Sequence, residues 1–98
     1  MPRYKAGAGV RLESVGDMWA AYSPLSGETQ LLNDESAVVL EWLLERGSGN
    51  AAQAASELAE IAGMEAAELE TRIRMAWPPL AAAGLIQRIA EPPTGSPP

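Results

Sequence analysis

The sequence predicts a small α+β domain of the winged-helix-like kind, in which a three-stranded antiparallel meander is followed by three helices. Three observations predict it. Alternating and aromatic-rich segments, joined by turn dipeptides, fill the stretch from Val10 to Leu32. Helix caps at Asn33 and Asn50 and stop glycines at Gly47 and Gly63 then divide the remainder into helical blocks. The length of 98 residues suits one core, and a domain of this size buries only about 60% of its unfolded surface.

Residues 1–9 are rich in Gly and Ala and read as a flexible N-terminal arm. From Val10, Val10 and Leu12 alternate with Arg11 and Glu13, as in a half-buried strand. Val15-Gly16-Asp17 is a turn. Met18–Ser23 is the second strand, with Trp19 and Tyr22 an odd number of positions apart and therefore on opposite faces. Pro24-Leu25-Ser26-Gly27 is the next turn, with Pro at an early position and Gly at its end. Glu28–Leu32 is the third strand. Such a meander needs helices on one face to be stable.

Asn33 is a good N-cap, and Asp34 and Glu35 lie where the helix dipole favours acids. The first helix is predicted over Asp34–Glu45, with Ala37, Leu40 and Leu44 in one stripe, Leu43 beside it, and Gly47 as its stop. Gly47-Ser48-Gly49-Asn50 reads as a loop whose Asn50 caps a second helix over Ala51–Ala62. Ala54, Ala55, Leu58 and Ile61 are expected to face inward. The third helix begins near Glu65, with Ala66, Leu69, Ile73, Ala76, Trp77 and Leu80 at helical spacing. Pro78 and Pro79 each lack an N–H, and each ring clashes with the carbonyl four residues back. A kink or break is expected at Trp77, with Pro78 opening a last short turn closed by Gly84. Leu85–Ile89 is a short strand or an extended tail packed on the core. Residues 90–98 read as a disordered Pro-rich tail by composition. The domain proper is thus residues 10–89.

Composition excludes several functions. There is no Cys and no His, which removes disulfides, thiolate nucleophiles, imidazole bases and the usual zinc and haem ligands. Asp34, Glu35, Glu57 and Glu60 stand at capping and solvent positions rather than as paired carboxylates in a pocket. Ser23, Ser26 and Ser36 have no base to activate them. We therefore expect no enzyme, no catalytic residue, no metal and no cofactor. Without a signal peptide or a membrane-length apolar run, the chain reads as cytoplasmic, with no membrane partner. Net charge is −6 and unevenly spread: from Asp34 to Glu70 nine acids face one base, Arg46, a local charge of about −8. Nucleic-acid affinity rests on Lys and Arg, so the helices are not expected to bind DNA or RNA. Trp42 and Trp77 are expected in the core, because large aromatics are mostly buried.

The stretch Trp19-Ala20-Ala21-Tyr22-Ser23-Pro24-Leu25-Ser26-Gly27-Glu28-Thr29-Gln30-Leu31-Leu32-Asn33 resembles the PqqD family. It most resembles the branch often called the HPr-rel-A system PqqD family peptide chaperone. Leu80-Ala81-Ala82-Ala83-Gly84-Leu85-Ile86 is similar to the family's helix-three ending, and the likeness covers roughly residues 10–89. Pro78-Pro79 departs from it. The resemblance implies a RiPP-recognition-type domain. Such a domain binds the leader segment of a precursor peptide by strand addition to the third strand, in a groove completed by helix three. It then delivers that peptide to a modifying enzyme. Implied partners are the precursor peptide and a modifying enzyme or HPr-kinase-related system protein. The implied peptide-binding residues are Glu28, Thr29, Gln30, Leu31, Leu32, Leu69, Arg72, Ile73 and Ala76. Arg72, and less so Arg74, could meet acidic side chains of the peptide, or simply pair with Glu68 and Glu70. The alternatives are a winged-helix DNA-binding regulator and a non-catalytic adaptor that forms a homodimer through its sheet edge or Trp42.

Overall fold

The computed structural model describes residues 2–89. Its order is β1 (Arg3–Ala6), β2 (Arg11–Val15), β3 (Met18–Ser23), β4 (Glu28–Leu32), α1 (Asp34–Arg46), β5 (Ser48–Asn50), α2 (Ala51–Ala62), α3 (Ala66–Ala82) and β6 (Ile86–Ile89). The α+β class and the meander are as expected. β2, β3 and β4 pair in that order, all antiparallel, with Trp19 opposite Leu32 and Ala21 opposite both Leu12 and Gln30.

A second sheet corrects the expected meander-plus-helices. β1 is no loose arm: it is the central strand of an antiparallel sheet, β5-β1-β6. The expected loop at Ser48–Asn50 is one edge of that sheet, and Ile86–Ile89 is the other. Tyr4 anchors it, with its ring centroid 5.0 Å from that of Trp77. The expected tail, residues 90–98, lies outside the described residues.

The helix ends follow local chemistry. Ser36 N–H donates to Asn33 Oδ1 at 2.8 Å. Asn50 and Gln53 form a reciprocal capping box, with side-chain oxygens accepting at 2.8 and 3.0 Å. Gly63 closes α2 in the left-handed region, where an L side chain would be strained.

α3 corrects the expected break at Trp77. It runs unbroken through Pro78 and Pro79. Both prolines are exposed, as are Arg74 and Met75, whose carbonyls lose their usual donors. Solvent can satisfy those carbonyls, while Trp77 and Leu80 hold the helix against the core from its other side. Ala83, not Gly84, is the C-cap; Gly84 follows at φ +77°.

The core joins both sheets to the helices through Leu40, Leu43, Ile73, Leu80, Leu85 and Ile86. Val39 and Trp42 are buried while Leu44 is exposed, so the inward stripe of α1 is rotated from the expected one. Trp42 is buried, which withdraws it as a dimer contact. Its indole N–H and that of Trp77 find no acceptor among the described residues. Ile61, expected to face inward, is 83% exposed, because the last turn of α2 carries it to the rim of a groove.

Trp42 also fixes the identity of residue 49. A Cβ on Gly49 would overlap the outer edge of the Trp42 ring, 2.6 Å from Cζ3. Overpacking of this kind costs about 1–3 kcal/mol. We expect Gly49→Ala to lower the thermal midpoint by about 4–8 °C for each kcal/mol lost. A calorimetric midpoint equal to that of the parent would show that the ring can shift freely.

Candidate functional site

β4 has β3 as its partner on one side, and its other side is an open edge among the described residues. Proline and lysine, two residues that natural edges use to discourage pairing, are absent from Glu28–Leu32. On this edge alternate backbone N–H and C=O groups point away from β3. Gln30 Nε2 donates to Glu28 Oε2 at 3.4 Å, and Glu28 N–H donates to Ser26 Oγ at 3.3 Å, closing the turn before the strand.

The two faces of β4 differ. Leu32, opposite Trp19, packs on the core, and Gln30, opposite Ala21, is half-buried on the same side. Thr29 and Leu31 lie on the outer face with Ala20 and Tyr22; Leu31 is 62% exposed. A shallow depression of about 230 Å³ on that face is lined by Arg11, Glu13, Ala20, Tyr22 and Thr29. The Arg11 guanidinium lies 6.0 Å from the Tyr22 ring centroid.

Where β4 ends, a groove of about 260 Å³ begins between the start of α1 and the outer side of α3. Asn33, Glu35 and Ser36 form one wall, and Arg72, Met75, Ala76 and Pro79 form the other. α1 packs against both β4 and α3 and sets the groove's width. At the far end, buried Ser23 donates its hydroxyl to the Gly84 carbonyl at 2.9 Å and ties the meander to the end of α3.

The structure separates the sequence-derived site residues into two sets. Glu28–Leu32 form the edge, and Arg72 and Ala76 line the adjoining groove. Ile73 is wholly buried, on the core side of α3. Leu69, nearly buried, lines a second groove on the other side of Arg72. Arg72 is spanned by two carboxylates, Glu35 at 3.6 Å and Glu68 at 3.7 Å. Arg74 pairs with Glu70 one turn back. Met75, 73% exposed, and Pro79 belong to the groove and were missed. The signal was available in part, since Arg72, Met75, Ala76 and Pro79 recur at intervals of three, one and three along one side of a helix.

Among the described residues no cluster of His, Cys, Asp or Glu could hold a metal ion, and no helix is long and apolar enough to cross a membrane. No protein-family model and no curated protein matches the chain. The fold is shared with a solved structure, TbiB1 in complex with the TbiA(beta) leader peptide. The two chains superpose with a TM-score of 0.70 at 15% identity, over 89% of this chain and 99% of that one.

Proposed function

We propose that the chain is a non-catalytic peptide-recognition module. It binds an extended segment of a precursor peptide as a fourth strand on β4 and presents it to a modifying enzyme. The observation that carries this reading is the unblunted β4 edge, which opens into the groove between α1 and α3. Main-chain hydrogen bonds along the edge supply affinity, and alternate side chains supply specificity. One set of ligand side chains lies over Thr29 and Leu31, and the other points towards Arg72, Met75 and Ala76. The shared fold with TbiB1, solved with a leader peptide bound, supports the same reading. So does the stretch Trp19–Asn33, which resembles PqqD-type peptide chaperones.

Titrating 15N-labelled protein with leader-length peptides encoded beside this chain tests the proposal. Amide shifts should concentrate in Glu28–Leu32 and along Arg72–Pro79. Shifts confined to α2 or to the β5-β1-β6 sheet, or no shifts with any such peptide, would overturn it.

A further inference from the structure

A second groove, of about 290 Å³, lies between α1, α2 and α3 on the other side of Arg72. Its floor is apolar, formed by Val38, Val39, Leu58, Ile61, Met64 and Leu69. Val38 is 47% and Ile61 83% exposed, although neither covers a core position in this chain. An isolated exposed Ile needs no explanation, but apolar side chains converging from three helices on one concavity do. The rim is acidic. Asp34 and Glu35 line it directly, and the one base there, Arg72, is shared between Glu35 and Glu68. Arg46, the one base between Asp34 and Glu70, is held by Glu57 at 2.9 Å and lies over Trp42. Arg72 offsets only one of the two acids that line the rim, and the groove keeps a net negative charge.

We infer that this groove docks a short amphipathic helix of a protein partner, with apolar side chains on one face and Lys or Arg along its flanks. Two physical arguments choose this occupant. The groove walls are helices, whose backbone groups are already used internally, so an extended segment would find no ladder partners there. A helix satisfies its own backbone and needs only an apolar face, the helix-in-groove mode. Charge then selects the flanks: a basic partner meets the rim favourably, and an acidic one is repelled. A second copy of this chain fits poorly, because its own helices carry the same excess of acids. The apolar floor of this groove shares no residue with the β4 edge, although Glu35 and Arg72 border both grooves.

The probe is a synthetic helix of roughly 14 residues, about four turns, made of Leu on one face and Lys on the other. Its counterpart carries Glu in place of Lys. With 15N-labelled full chain, the Leu/Lys helix should shift Val38, Ile61, Met64 and Leu69, and the Leu/Glu helix should not. Ile61→Ser and Val38→Ser, both at exposed positions, should keep the parent spectrum and weaken binding about tenfold or more. Equal binding of both helices, shifts scattered over every acidic surface, or unchanged affinity in the two serine variants would overturn the inference. None of these outcomes depends on whether β4 accepts a strand.

Discussion

Deleting Pro2–Ala6 is expected to abolish the cooperative unfolding of this domain. β1 pairs at three positions with β5 and at four with β6, so its removal leaves two short strands with no partner among the described residues. Isolated pairs of this length are not stable in water, and isolated strands still less so. Tyr4 leaves the face of Trp77 as well, exposing an aromatic that is now 3% accessible. Arg3 leaves Gln53 Oε1 and Ser48 Oγ, each 3.3 Å away. Loss of a large aromatic contact costs about 3 kcal/mol, and each lost hydrogen bond about 1 kcal/mol. Their total is comparable with the whole stability of a domain this size, roughly 5–15 kcal/mol. Urea unfolding followed by tryptophan fluorescence reads the outcome. A sigmoidal transition with the parent's midpoint and slope would mean that the segment is dispensable.

That deletion also marks the boundary of what the sequence reveals. The meander was legible because its information is local. Alternation in Val10–Glu13, the turn at Pro24–Gly27 and the cap at Asn33 each act within a few residues. β1 and β5 hold no such signal. Ser48-Gly49-Asn50 contains no β-branched or aromatic residue, and it becomes a strand because Arg3–Lys5 lies beside it. The pairing joins segments more than forty residues apart, which no window along the chain contains. The prolines of α3 were misleading for a related reason. The rule that they break helices counts a lost hydrogen bond and a clash, while the burial of Trp77 and Leu80 around them comes from the rest of the fold.

The candidate site divides along the same line. An unblunted strand at Glu28–Leu32 is readable from composition, and so is a base at Arg72. That Arg72 is held by Glu35 is not, since the pair joins two helices. Nor does periodicity say where a neighbouring helix stops, which is why Ile61 was expected in the core and stands instead at a groove rim. Patterns assign faces, whereas only packing decides which faces are covered.

The β4 edge makes the sharpest functional prediction, and it comes as a pair of variants. Along an antiparallel strand, successive N–H groups point alternately to the neighbouring strand and to the open side. Gln30 and Leu31 are adjacent, so one donates to β3 and the other faces the edge. Gln30→Pro and Leu31→Pro should therefore have opposite consequences. Proline at the inward position removes a ladder bond and destabilises the meander by at least about 1 kcal/mol. At the outward position, the missing N–H has no strand partner among the described residues, and edge strands tolerate proline. That variant should keep the parent's thermal midpoint within a few degrees. Yet it loses a donor to the incoming strand and places a ring where the ligand backbone must approach, so affinity should fall at least tenfold, about 1.4 kcal/mol. Thermal unfolding identifies which variant is which, and calorimetric titration with the bound peptide reads the affinity. A stable proline variant that binds as tightly as the parent would show that recognition does not run through the backbone of β4.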